Sequence, residues 1–190
     1  MDITDTPSIL RSNGTQGASL SRLSWSIQPT PSWKIKKPDS DIAELVKFDS
    51  IGLDVANMKV GWVKWVGNQP EKLMATIWEE QPKQPTNDWS EVYSLFAYST
   101  KDENTAIFFD ATNWGGRRGV QTALNLYLKY CKDHGISIDR GKGDIKNHYP
   151  VFYYTGAVPV KDKFGKTLTH EPTFKLHKIN NLPPIANGTI

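Results

Sequence analysis

A single cysteine, Cys131, stands in a chain of 190 residues. One thiol makes no intramolecular disulfide and no cysteine-built zinc site. A reducing compartment, the cytoplasm, is therefore expected. No apolar run approaches the roughly 20 residues that a membrane-spanning helix needs. The opening residues, MDITDTPSIL, carry acids where a secretory leader carries bases. We expect a soluble cytoplasmic protein with no membrane partner.

Catalytic signatures are equally scarce. The four histidines are His134, His148, His170 and His177, and none sits in H-E-x-x-H or another metal-ligand spacing. His170 and His177 either approach each other across a hairpin or lie apart on the surface. Neither G-x-x-x-x-G-K-[ST] nor G-x-S-x-G occurs. The carboxylates are scattered, and sequence separation alone identifies no catalytic pair. No enzyme, cofactor or metal is expected. A nuclease-like activity stays open as a weak third class, without a metal triad to support it.

What is present is aromatic and mildly basic. The chain holds seven tryptophans, and 11% of it is Phe, Trp or Tyr. Its formal charge is +3. That balance permits a polyanionic partner without requiring one.

The run Met58-Lys-Val-Gly-Trp-Val-Lys-Trp-Val66 is the clearest strand. Alternation puts Val60, Trp62, Lys64 and Val66 on one face and Lys59, Gly61, Val63 and Trp65 on the other. Each face carries one tryptophan and one lysine. One face can fill a core while the other offers a ring beside a cation, which suits a nucleobase and its phosphate. The alternative is that both rings are core and both lysines solvated. Gly61 in mid-strand calls for a bulge, a barrel corner or a close backbone approach.

Residues 1–40 are rich in Ser, Thr, Pro and Gly and read as a flexible N-terminal arm. Trp25 and Trp33 precede a basic cluster there. They serve either an arm that joins nucleic acid or a neighbouring subunit, or a linker resting on the domain. The domain itself spans 41–181, and 182–190 is a tail. Further strands are expected over 72–78, 92–98, 105–110, 150–155 and 173–179. One helix is clear: Val120, Ala123, Leu124, Tyr127, Leu128 and Cys131 form a single apolar stripe. Gly135 suits its C′ position.

Three strands, an extension, a helix and two strands is the order of a five-stranded OB barrel, whose helix lies between strands 3 and 4. We therefore expect a mainly β protein with one helix, closed as an OB-like barrel. At the helix start, Trp114-Gly-Gly-Arg-Arg-Gly119 sets two arginines where the dipole is already positive. Free N–H groups, glycines and guanidinium forks suit phosphate. Otherwise Arg117 and Arg118 point into water or pair with Asp110. Arg140-Gly-Lys142-Gly makes a second, smaller basic loop.

Three stretches together resemble a group of small bacteriophage single-stranded-DNA-binding proteins of OB type. They are Met58-Lys-Val-Gly-Trp-Val-Lys-Trp, then Trp114-Gly-Gly-Arg-Arg leading to Leu126-Tyr-Leu, then Tyr149-Pro-Val-Phe-Tyr-Tyr-Thr-Gly with Phe164-Gly and Glu171-Pro-Thr-Phe-Lys-Leu. The resemblance covers about residues 45–180. It implies a barrel that coats single strands during phage DNA replication or recombination, often as a homo-oligomer, without a cofactor. Replication or recombination proteins are its implied partners. Many cellular single-strand binders end in an acidic recruiting tail, but nothing after Glu171 is acidic here. Recruitment by such a tail is not expected.

Trp62, Trp65, Phe96, Tyr98, Tyr153 and Phe174 are the candidate stacking rings. Lys59, Lys64, Arg117, Arg118, Lys142 and Lys175 are the candidate phosphate contacts. The rival reading is a protein–protein inhibitor or adaptor, such as one that blunts a host defence complex. The same rings would then anchor an interface.

Overall fold

The structure is a computed structural model, and it describes residues 20–67, 69–100, 106–139 and 143–181. The protein is mainly β with a single α-helix among the described residues. Ten strands pair into one sheet. They are β1 (Arg22–Ser26), β2 (Ser32–Lys36), β3 (Glu44–Val46), β4 (Ser50–Leu53), β5 (Lys59–Val66), β6 (Gln69–Thr76), β7 (Ser90–Ser99), β8 (Ala106–Ala111), β9 (His148–Lys161) and β10 (Thr167–Asn181). The helix α1 (Trp114–Asp133) lies between β8 and β9.

β7 is the hub. One of its edges pairs with β8. Its other edge takes two partners in succession: β5 along Ser90–Ser94 and β4 along Ala97–Ser99. A short 3-10 turn, Val55–Asn57, bridges β4 and β5. Beyond this fork β5 continues to β6, while β4 continues to β9 and β10. On the far side, β8 pairs in parallel with β1, followed by β2 and β3. The sheet path stays open, and no barrel closes among the described residues. The five-stranded closed barrel expected from element order is thus not seen. Weakly periodic segments contribute strands that the sequence pattern under-counts, and β7 is long enough to feed two branches.

The two ends of the path nevertheless meet across the core. The Trp25 indole N–H on β1 donates to the His170 carbonyl on β10 at 3.0 Å. Trp33 on β2 packs against Tyr154 of β9 and Phe174 of β10, with centroids 6.2 and 6.3 Å apart. The flexible arm therefore needs correction over 22–36. Trp25 and Trp33 are both buried, and burying two indoles outweighs the disorder that Ser and Pro favour. Residues 1–19 and 182–190 lie outside the described residues.

The helix follows its stripe: Val120, Ala123, Leu124, Tyr127 and Cys131 are buried. Asn113 caps it by accepting the Gly116 N–H at 2.7 Å. Gly135 follows in the left-handed region, φ +67°, as a C′ glycine does. Gly61 answers the question its position raised. A β-carbon there would overlap the Leu73 carbonyl oxygen and sit 2.9 Å from Met74 Cα, so the glycine serves a close backbone approach between β5 and β6. A second small cluster, Tyr98, Tyr149 and Val151, packs apart from the main core.

Candidate nucleic-acid interface

β5 alternates as its sequence demands. Gly61 and Val63 are buried, and Val60 on the opposite face packs against the main core. Trp62 is half-buried, and its indole N–H donates to the Pro82 carbonyl at 2.8 Å. Trp65, two residues past the end of the β5–β7 pairing, is 58% exposed. Lys59 is half-buried. Lys64 pairs with Asp88 at 2.7 Å, and that carboxylate holds its ammonium above the ordinary lysine range. The ring and cation of this strand are thus partly committed within the protein.

The helix start is committed more fully. The Arg117 Nε meets a Glu91 carboxylate oxygen at 3.1 Å. One terminal nitrogen of the same guanidinium donates to the Glu91 carbonyl at 3.0 Å and to the Thr112 carbonyl. Arg118 pairs with Glu171 at 2.5 Å and lies 5.5 Å from the Trp114 ring centroid. Asp110 takes neither arginine; it pairs with Lys72 at 2.8 Å and accepts a hydrogen bond from the Ser94 hydroxyl. The glycines have a packing role, since β-carbons at Gly115 and Gly119 would strike His170 and Pro172 of β10. Both guanidiniums thus have carboxylate partners within the chain, Arg117 half-buried and Arg118 at the surface, and a phosphate at this helix start would have to compete with Glu91 and Glu171.

Among the remaining rings, Tyr98 and Phe174 are buried, at 6% and 8% exposed. Phe96 is half-buried edge-on to Phe108 at 5.9 Å. Lys142 lies outside the described residues. Tyr153 and Lys175 are the candidates that come together in the open. They are directly opposite each other in the β9–β10 register, and both are exposed. His177 completes the patch: its ring lies 4.3 Å from the Tyr153 ring, and its Nε2 is 3.3 Å from the tyrosine hydroxyl. His170 and His177 do not face each other across a hairpin, because both are on β10.

Trp65 is not part of this patch. Val63 faces Ser90 at one end of β7, whereas Tyr153 faces Ser50, beyond Ser99 at the other. Roughly 30 Å of strand lies between them.

The β9–β10 turn carries a ring and cations that are not among the candidates above. Phe164 is 83% exposed. Lys161 and Lys166 flank it, and the Lys163 ammonium sits 5.0 Å from its ring centroid. The signal was legible in Lys-Asp-Lys-Phe-Gly-Lys, a ring among three cations.

One buried acid stands away from these surfaces. Asp54 is 4% exposed, and both carboxylate oxygens accept from Asn57 Nδ2, at 2.9 and 3.1 Å. Burial raises its pKa to about 6, despite the counteracting hydrogen bonds from Asn57. The folded state therefore binds this proton more tightly than the unfolded chain does. Its contribution falls as pH rises from about 4 through 6, and the ionised form carries the penalty above that window. Two units correspond to at most ~3 kcal/mol. We expect Asp54→Asn to flatten the stability slope between pH 4 and 6 and to gain about 1–2 kcal/mol at pH 7.5. Urea melts of both proteins across that range check this, and superimposable pH slopes would refute it.

No protein-family model, no curated protein and no solved structure matches this chain. Among the described residues, no group of three or more His, Cys, Asp or Glu side chains is placed to hold a metal ion. No described helix is long and apolar enough to cross a membrane.

Proposed function

We propose that the protein binds single-stranded DNA with little sequence preference, as a coating protein in phage replication or recombination. The observation that carries this reading is the exposed Tyr153 ring directly opposite the exposed Lys175, with His177 against it. A base stacks on the ring face while the ammonium meets the neighbouring phosphate. The reading rests on an open sheet face and does not require an OB-type closed barrel.

The test is anisotropy of a labelled ~30-nucleotide strand, and of its duplex, at two salt concentrations. The strand binds, the duplex binds more weakly, and affinity falls with salt. Tyr153→Ala weakens binding by about 5- to 100-fold, and Lys175→Gln lowers the salt slope by about 0.7. No binding of the wild type at low salt would end the proposal.

A second reading is favoured by one observation. Ile42 and Leu45, at and just before the edge strand β3, are among the most exposed large apolar side chains. A strand edge with two such residues suits a protein partner, as an inhibitor or adaptor would use. Capture of a stoichiometric protein from nuclease-treated lysate, lost on Leu45→Lys, would favour it over the first.

A further inference from the structure

The β9–β10 hairpin ends in a turn that is closed by its own hydrogen bonds. Asp162 Oδ1 accepts the backbone N–H groups of Phe164 at 2.8 Å and Lys166 at 2.9 Å. The Asp162 N–H donates to the Lys166 carbonyl at 2.9 Å, and the Gly165 N–H to the Asp162 carbonyl at 3.1 Å. Gly165 takes φ +83°, a conformation that a side chain would strain. The one acid of the turn, Asp162, is thereby tied to the backbone through Oδ1. Phe164 is exposed with the Lys163 ammonium 5.0 Å from its ring centroid, and Lys161 and Lys166 are exposed at the two ends of the same turn.

An exposed ring ordered by its own turn loses little entropy when it binds. Three lysines against the single Asp162 carboxylate leave the turn with an excess of positive charge beside an exposed ring, which suits a polyanion with a flat apolar component. Single-stranded nucleic acid supplies both, phosphate for the lysines and a base for the ring.

We propose that this tip is a second stacking site for single-stranded nucleic acid, separate from the Tyr153–Lys175 patch. One unpaired base lies on Phe164, and the adjoining phosphates meet Lys161, Lys163 and Lys166. The proposal rests on the single-strand reading above and extends it to residues on the far end of the same ribbon.

The test uses the full chain with the same labelled strand. Phe164→Ala and the triple change Lys161→Gln, Lys163→Gln, Lys166→Gln are compared with the wild type. These side chains are outside the core, so circular dichroism should report an unchanged fold. Phe164→Ala is expected to weaken binding by about 5- to 100-fold. The triple change is expected to lower the salt slope by about 2. Phe164→Trp provides a reporter whose added emission is quenched by the strand. If the wild type binds while both variants match it in affinity and slope, the tip proposal is overturned and the single-strand reading stands. A wild type that binds no strand overturns both. If anionic vesicles of phosphatidylserine and phosphatidylcholine take up the wild type through Phe164, while strand affinity ignores that residue, the tip is a membrane contact and the proposal is again overturned.

Discussion

Trp33→Ala is expected to cost about 3–5 kcal/mol, enough to unfold much of a marginally stable population. Trp33 is 3% exposed. Its ring meets Trp25 at 5.0 Å, Phe48 at 5.2 Å, Phe109 at 5.3 Å, Tyr154 at 6.2 Å and Phe174 at 6.3 Å. These neighbours belong to both ends of the curled sheet, so the cavity left by alanine cannot be filled by one element shifting. Trp33→Phe should behave differently. The indole N–H is buried without a hydrogen-bond partner, and such a group costs about 1–3 kcal/mol. Phenylalanine loses ring volume but also removes that orphan donor, so a net loss under about 1.5 kcal/mol is expected. Urea melts of the three proteins, with unchanged m-values, would show the ordering. A Trp33→Ala loss below about 1 kcal/mol would mean that β2 does not hold the core together.

That expectation reverses what the residues of this segment suggest by themselves. Ser-Trp-Ser and Ser-Trp-Lys-Ile-Lys each offer too few apolar positions to show a period, and prolines separate them. Their strands exist because tertiary burial of two indoles overrides local preference. The helix, by contrast, was legible because six apolar residues repeat at its period over three turns. The strands β5, β7 and β8 were legible for the equivalent reason, within one or two residues at their ends.

The candidate interface was readable only in part. Alternation shows that Tyr153 and Tyr154 point to opposite faces, but it does not say which face meets the core. The structure gives Tyr154 to the core and Tyr153 to solvent. Phe174 and Lys175 divide in the same way. The partners of the two helix-start arginines, Glu91 and Glu171, are 26 and 53 residues away in sequence. No local pattern shows a pairing of that separation, so cations that look free to take phosphate are already neutralised by the fold.

Gly115→Ala separates the two meanings of that helix start. In an isolated helix the change would add stability, about 1 kcal/mol, because alanine is the better helix former. Here the new methyl would overlap the His170 carbonyl oxygen and lie 2.9 Å from Thr169 Oγ1. The carbonyl cannot step aside freely, since it accepts the Trp25 indole N–H. Helix, β10 and β1 meet at this one point, and separating them exposes apolar surface on all three. We expect a net loss of about 2–4 kcal/mol, at the upper end for overpacking because a backbone atom is struck. If the glycines instead served a phosphate loop, Gly115→Ala would leave the urea midpoint where it is and weaken only strand binding. Measuring both quantities on one variant decides between them. A lowered midpoint with strand affinity retained by the folded fraction assigns the glycine to helix–strand packing, and an unchanged midpoint would remove that assignment.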